Sequence, residues 1–142
     1  MPMPSFDELA EFVREDTGYS REITPATKLV EDVGADGDDM FEFIEHYSKR
    51  FGVDIASYRW YFHHGEEGWS IGGMFFQPPY ERVARIPITI GMLHEFAQQT
   101  RWGIQYPEHQ LPKHRFDILA NKLFALIVLS ALGYSLWRHF AH

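Results

Sequence analysis

The C-terminal part of the chain has no charged residue from Leu123 to Trp137. Counted back to Ile118, this apolar stretch is 20 residues long, with Lys122 as its one charged member. A helix of that length measures about 30 Å, which is about the hydrocarbon thickness of a bilayer. A helix that is apolar on nearly every side needs either a large protein core or lipid around it. The stretch therefore predicts a C-terminal apolar helix, over residues 116–142, that anchors the chain in a membrane.

Positive residues flank the apolar stretch unequally. Lys113, Arg115 and Lys122 lie at its start, whereas Arg138 is the only Lys or Arg that follows it. Because the more positive flank stays in the cytoplasm, we expect a single pass through the inner membrane with a cytoplasmic N-terminal domain. In the alternative, the last helix packs on the domain, which would have to cover almost all of that helix with a small surface.

Acidic residues are concentrated at the front of the chain. Residues 1–56 hold 14 acidic and 5 basic side chains, whereas the remaining residues hold 6 acidic and 8 basic ones. Such a field repels phosphate backbones and attracts basic protein surfaces. We therefore expect the partner to be a basic protein surface and expect no nucleic acid partner. The chain has no cysteine, which excludes disulfides and thiolate chemistry.

Two helices are predicted in the acidic half. The first runs over residues 6–17, between a capping box at Ser5 and Glu8 and a stop at Gly18, with Leu9, Phe12 and Val13 inward. The second runs over residues 36–51, with Asp36 or Asp38 capping it and Gly52 ending it. Its apolar residues recur every three or four positions and are expected inside: Met40, Phe41, Ile44, Tyr47 and Phe51.

A third helix is predicted after Thr89, which serves as its cap, with an inward face made of Leu93, Phe96, Ala97 and Thr100. Between the second and third helices lies an aromatic insert, residues 56–85. Its eight aromatic residues are Tyr58, Trp60, Tyr61, Phe62, Trp69, Phe75, Phe76 and Tyr80. Its glycines and the Pro78-Pro79 pair favour short strands or irregular structure, with a short β-hairpin around Gly65 to Gly68. These rings form either a second small core or a binding patch.

Three of these segments together resemble acyl carrier proteins. They are the Gly34-Ala-Asp-Gly37 loop before an acidic helix, the helix end Phe51-Gly-Val-Asp-Ile55, and the later Thr89-Ile-Gly-Met-Leu93. The resemblance covers roughly residues 5–55 and 83–100, and is closest to a bacterial family of carrier-like domains of unknown function. It implies a mainly α fold: a small acyl-carrier-like helical bundle over residues 1–106, then a linker over residues 107–115.

The resemblance fails at the residue that carries the chemistry. Carrier proteins attach a phosphopantetheine arm to a serine at the start of the acidic helix, and the aligned residue here is Gly37. Glycine has no hydroxyl, and Ser48 lies almost a full helix further on. We therefore expect no phosphopantetheine and no other cofactor. The resemblance then implies a non-catalytic protein-interaction domain.

The acidic helix is the predicted partner-binding surface. Its acidic docking face consists of Asp36, Asp38, Asp39, Glu42 and Glu45. A second hypothesis is a lipid or small-molecule binding module in which the aromatic insert and the tail helix enclose an apolar pocket.

No metal site is predicted. A calcium loop would need a twelve-residue pattern closed by glutamate, which the aspartates around Asp36 lack. His63-His64 with Glu66-Glu67 lacks the spacing of a zinc site. A serine nucleophile elbow, a phosphate loop and a dinucleotide fingerprint are also absent from the sequence, so we do not expect an enzyme.

Overall fold

The computed structural model describes residues 3–141 and is mainly helical. Its four α-helices are α1 (Phe6–Thr17), α2 (Gly37–Phe51), α3 (Ile90–Gln99) and α4 (Phe116–Phe140). Across the described residues no strand forms, and only two isolated β-bridges join loops. The outermost residues of the predicted domain and tail, 1, 2 and 142, lie outside the described part.

Helix α1 begins and ends as its sequence predicts. The Ser5 backbone N–H donates to Glu8 Oε2 at 2.7 Å, and the Glu8 N–H donates to Ser5 Oγ at 3.2 Å. Gly18 ends the helix in the left-handed region at φ 71°. This capping box satisfies two amides at the helix start, and it turns the face with Leu9 and Val13 into the core, where both are fully buried.

Helix α2 differs from its prediction at one inward residue. Met40, Ile44 and Tyr47 are buried as expected, but Phe43 is 1% exposed whereas Phe41 is 38% exposed. The apolar repeat alone did not separate Phe41 from Phe43, and the inward prediction for Phe41 is wrong. Phe41 lies on the side of α2 that meets the aromatic insert. Residue 41 therefore packs on the insert and residue 43 on the main core.

Helix α3 is capped by Thr89, whose Oγ1 accepts from the Met92 N–H at 3.2 Å. Leu93, Phe96 and Ala97 are buried as predicted. The prediction that Thr100 faces inward is wrong. Thr100 is exposed and ends the helix at φ 54°, in the left-handed region that glycine usually occupies.

Backbone hydrogen bonds join the loops across the core. The Leu29 N–H donates to the Ile88 carbonyl, and the Ile90 N–H donates to the Thr27 carbonyl, both at 2.9 Å. At the other bridge the Trp102 N–H donates to the Asp54 carbonyl at 2.8 Å. The long loop before α2 closes with one π-helical turn, Leu29–Val33. These bonds fix the segments before and after α3 against the acidic half.

The aromatic insert forms three 3-10 turns, Trp60–Phe62, Gly72–Met74 and Pro79–Glu81. The expected β-hairpin around Gly65 to Gly68 is therefore wrong, since strands are absent from the described residues. The Gly65 N–H donates to the Asp36 carboxylate instead of to a neighbouring strand. The backbone of the insert thus bonds within its short turns and, at Gly65, to the cap of α2.

The two halves of the insert differ in burial. Phe62, His63 and His64 are at most 2% exposed and form a second small core against the domain. Trp69 and Phe75 are 82% and 74% exposed. The second small core is thus present in one half of the insert, and a binding patch in the exposed half stays a prediction.

Helix α4 extends away from the domain. By length and composition it is the one helix among residues 3–141 that is apolar and long enough to cross a membrane. Only 6% of its apolar 18-residue stretch is buried against the rest of the protein. The predicted C-terminal apolar helix is confirmed. In this structure the domain contacts only the start of α4 and leaves most of the helix exposed, whereas the alternative required the domain to cover almost all of it. Its contacts with the insert are made by its first two turns, through Asp117 and Asn121.

Candidate functional site

Asp36 of the acidic docking face stabilises the start of α2 and its contact with the insert. Its Oδ1 accepts from the N–H of Gly37 at 3.0 Å and from the N–H of Gly65 at 3.2 Å. The Arg85 guanidinium lies 3.9 Å from the same oxygen. Asp36 caps α2 and holds the insert on it, so only part of its charge faces a partner.

The other four predicted residues of the docking face are exposed on α2. They are Asp38, Asp39, Glu42 and Glu45. Glu45 Oε2 accepts from Lys49 Nζ at 3.3 Å, an exposed pair of the kind that contributes about 0.3 to 0.5 kcal/mol. Such a weak pair leaves the carboxylate accessible to an incoming cation.

Two of these residues line an open cleft with residues from α1. This acidic cleft, of about 260 Å³, has Asp39, Glu42 and His46 from α2 on one side, and Asp16 and Thr17 from α1 on the other, with residues 33–35 at its edge. His46 Nδ1 lies 2.7 Å from Asp16 Oδ1. The cleft is thus lined by three carboxylates and one imidazole, and the Asp16 carboxylate already contacts that imidazole.

The sequence prediction missed Asp16 and His46. His46 follows Glu42 by four residues, so helical spacing places it on the same face and would have found it. Asp16 lies in the last turn of α1, 30 residues before His46. Only the packing of α1 beside α2 brings the two together.

Gly37, the position that we expected to align with a carrier serine, is buried. It is the first residue of α2 and has φ 54°. A side chain at this position would overlap the side chain of Glu67, which comes from the insert. Position 37 thus has no hydroxyl, and a side chain added there would require Glu67 to move.

His63 is a packed core residue. Its Nδ1 lies 2.8 Å from the Ile86 carbonyl, and its Nε2 lies 2.7 Å from the Tyr106 hydroxyl. Since a carbonyl only accepts, Nδ1 carries the proton and donates to Ile86, and the Tyr106 O–H donates to Nε2. The Tyr106 oxygen accepts in turn from Trp102 Nε1 at 2.8 Å. Burial lowers the pKa of His63 to about 4, so the ring is neutral at pH 7.

His64 belongs to the insert and packs on Phe41 of α2 and on Trp60 of the insert. Its ring centroid lies 4.7 Å from that of Phe41 and 5.6 Å from that of Trp60. Burial lowers the pKa of this imidazole as well. Within the described part of the chain, no group of three or more His, Asp or Glu residues is placed to hold a metal ion.

The space between the insert and the start of α4 is mostly polar. It is lined by Glu66, Tyr80, Arg115, Asp117 and Asn121 among others. The Arg115 guanidinium donates to both carboxylate oxygens of Glu66, at 3.2 and 2.6 Å. An apolar pocket enclosed by insert and tail, which the second hypothesis requires, stays a prediction.

Residues 6–105 match the family described as "Protein of unknown function (DUF1493)". The chain belongs to this family. The DUF1493 match includes α1, α2, the insert and α3, and it ends before α4. No solved structure matches the chain. The acidic cleft lies within the matched DUF1493 residues, whereas the apolar helix follows them.

Proposed function

We propose that this DUF1493 protein is a non-catalytic, acyl-carrier-like protein-interaction domain that α4 tethers to the inner membrane. Its acidic docking face binds a basic surface of a protein partner in the cytoplasm. The observation that supports this proposal best is the acidic cleft, where Asp39 and Glu42 of α2 lie beside Asp16 of α1.

The chemistry of the cleft favours a Lys or Arg side chain. The cleft is open to solvent, and its carboxylates come from two helices, so a cation that enters it meets negative charge on both sides. A charge-assisted hydrogen bond between a carboxylate and a cation is about twice as strong as a neutral one. Asp38 and Glu45 lie outside the cleft on the same helix, where their charge would steer the approach of a basic surface more than it would add affinity.

The start of α2 supports a carrier-like scaffold that is not modified. Gly37 opens an acidic helix after the Gly34-Ala-Asp loop, at the place where a carrier protein has its serine. In this chain Asp36 accepts a hydrogen bond from the Gly65 amide of the insert, and the Glu67 side chain of the insert lies beside Gly37. The proposal therefore includes no phosphopantetheine and no group transfer.

The dimensions and flanks of α4 support the membrane tether. Its 25 residues span about 37 Å, somewhat more than the hydrocarbon of a bilayer. Lys113, Arg115 and Lys122 lie at the end nearer the domain, which agrees with a cytoplasmic domain. The small share of α4 that the domain buries leaves its surface free for lipid.

The test of the docking face begins with the full chain in detergent extracts, crosslinked to identify what it captures. Capture is then repeated with a double variant, Asp39→Lys and Glu42→Lys. A matched control reverses two exposed acidic residues outside the cleft, Glu22→Lys and Glu95→Lys. We expect capture to fall on the order of tenfold at low salt in the first variant only, because the change in total charge is the same in both. Equal capture by the two variants, or a captured partner without a basic surface, would refute the proposed docking face.

A further inference from the structure

Four large apolar side chains of the insert are left in solvent beside the start of α4. This aromatic loop, residues 69–76, contains Trp69, Met74, Phe75 and Phe76, which are 82%, 74%, 74% and 44% exposed. Large apolar patches on the surface of soluble proteins mark protein or membrane contacts, and here four large apolar side chains are exposed within eight residues. The aromatic loop therefore needs a partner that takes up apolar surface.

Polar contacts fix the aromatic loop to the first two turns of α4. The Gly72 N–H donates to Asn121 Oδ1 at 2.7 Å, and Asn121 Nδ2 donates to Ser70 Oγ at 3.0 Å. Gly72 also lies so close to Asp117 that a side chain at position 72 would overlap the helix backbone. The Phe76 and Phe116 rings add an apolar contact, with centroids 5.8 Å apart.

These contacts set the height of the loop relative to the apolar stretch of α4. Asp117 and Asn121 lie just before Leu123, where the uncharged stretch begins, and six residues of helix correspond to about 9 Å. A bilayer whose hydrocarbon begins near Leu123 would thus have its headgroup region at the level of the aromatic loop. Apolar faces of interfacial segments enter that region to a depth of about 5 to 10 Å.

Basic groups lie beside the loop on one side, whereas on the other side Arg115 pairs with Glu66 and Asp117, and Glu67 is exposed. Arg82 and His114 line one cleft with Phe76 and Phe116, and Lys122 is exposed on the adjacent turn of α4. Trp with Lys or Arg is the combination that collects at the boundary between headgroups and acyl chains. A cation beside the loop would also meet the negative headgroups of the cytoplasmic leaflet.

We infer that the aromatic loop is a second membrane contact, which inserts Trp69, Met74 and Phe75 into the headgroup boundary of the bilayer that α4 crosses. This inference rests on the membrane tether proposed above. With one helix alone in the bilayer, the domain and α4 could still turn together about the helix axis. With the loop inserted as well, and with Asn121 joining loop to helix, the domain has a fixed orientation on the bilayer.

The absence of cysteine from the chain makes a depth measurement direct, because one introduced cysteine is the only labelling site. The full chain with Phe75→Cys, labelled with an environment-sensitive fluorophore, is reconstituted into vesicles of phosphatidylethanolamine and phosphatidylglycerol. Quenchers are lipids that carry a nitroxide either near the headgroup or at the middle of the acyl chain. Leu129→Cys in α4 and Glu11→Cys on α1 are the matched sites, each exposed on the protein.

We expect the label at position 75 to be quenched more by the headgroup-proximal nitroxide, the label at 129 more by the mid-chain nitroxide, and the label at 11 by neither. If position 129 is quenched and position 75 behaves like position 11, the second contact is refuted while the tether stands. If position 129 is not quenched, the tether is refuted, and the inference fails with it.

A second copy of the chain is the other way to cover the loop. In that case the label at position 75 would be shielded from water without being quenched by either lipid, and the shielding would grow with the ratio of protein to lipid. That result would overturn the inference. Adding Asn121→Ala to the Phe75→Cys protein should reduce the headgroup-proximal quenching. Unchanged quenching would overturn the role assigned to Asn121.

Discussion

The buried imidazole of His63 makes the stability of the domain depend on pH in a way that the structure specifies. The ring is 1% exposed and donates to the Ile86 carbonyl. The causes of its low pKa are burial first, then the nearby positive charge of Arg85 and the neighbouring His64, opposed by the bond to Ile86. The folded pKa is about 4, against 6.5 for the unfolded chain.

Between these two pKa values the unfolded state binds more protons at this site than the folded state. The stability that neutral His63 contributes is therefore fully present above pH 6.5 and is lost as the pH falls from 6.5 towards about 4. Each pKa unit corresponds to about 1.4 kcal/mol, so the loss amounts to about 2 kcal/mol between pH 7.5 and pH 5.0 and to about 3 kcal/mol in total.

The perturbation is His63→Gln, which replaces the ring by an amide that has a donor for Ile86 and an acceptor for Tyr106 but does not titrate. The free energy of unfolding of the full chain in detergent is measured with guanidinium at pH 7.5 and at pH 5.0, for the native protein and the variant. We expect the native protein to lose about 2 kcal/mol more than the variant. His64 and the carboxylates are present in both proteins and cancel in the difference.

A nuclear magnetic resonance titration of the His63 ring measures the folded pKa directly. A value near 4 in the folded protein supports the linkage. An equal loss of stability in both proteins, or a folded pKa of His63 above about 6, would refute the proposed pH dependence. Either result would mean that the buried site tolerates a protonated imidazole.

Three further outcomes are expected. Coenzyme A and a broad phosphopantetheinyl transferase should leave the intact mass of the native protein unchanged. Gly37→Ser should lower the free energy of unfolding by about 1 to 2 kcal/mol because position 37 has positive φ. Adding Glu67→Ala should recover only the part of the loss that comes from the overlap with Glu67, and not the part that comes from positive φ. Phe43→Ala should cost about 3 to 5 kcal/mol in the free energy of unfolding and Phe41→Ala less than half of that, whereas equal losses would contradict the burial of these rings. Thr100→Gly should raise the thermal midpoint, because φ 54° strains a β-branched residue, and a lower midpoint would show that the lost side-chain hydrogen bond dominates.

Local signals predicted the helix ends well. The Ser5 and Glu8 capping box, the Thr89 cap and the glycine stops at 18 and 52 all form within the helix or one residue from it. Such contacts depend on a few neighbouring residues, so the local sequence suffices to predict them. Thr100 is the exception, because a non-glycine residue ends α3 at positive φ and gives no such signal.

The aromatic insert shows where local signals end. Its glycines favoured a hairpin, but its backbone amide at Gly65 bonds to Asp36, 29 residues earlier. The same packing decides that Phe41 meets His64 while Phe43 enters the main core. A periodic pattern defines an apolar face of a helix, but it does not say which neighbouring segment covers each part of that face.

In the candidate site, too, one part could be predicted from the sequence and another part depends on packing. Asp38, Asp39, Glu42 and Glu45 follow from helical spacing, because four exposed carboxylates on one helix need no tertiary information to be placed. The cleft needs tertiary information, because Asp16 joins it only through the packing of α1 beside α2. Likewise, Glu67 lies beside Gly37 only because the insert packs on α2.

The sequence by itself determined the helical character of the domain, the exposed acidic face of α2, the lack of a hydroxyl at position 37 and an apolar helix long enough for a bilayer. Each of these depends on residue type and on spacing within one segment. Only the tertiary structure decided that His63 is buried and therefore neutral, with Ile86 and Tyr106 as its hydrogen-bond partners, and that Asn121 fixes the aromatic loop to α4. These contacts join residues 23 to 49 positions apart, whose meeting is set by the packing of the whole chain.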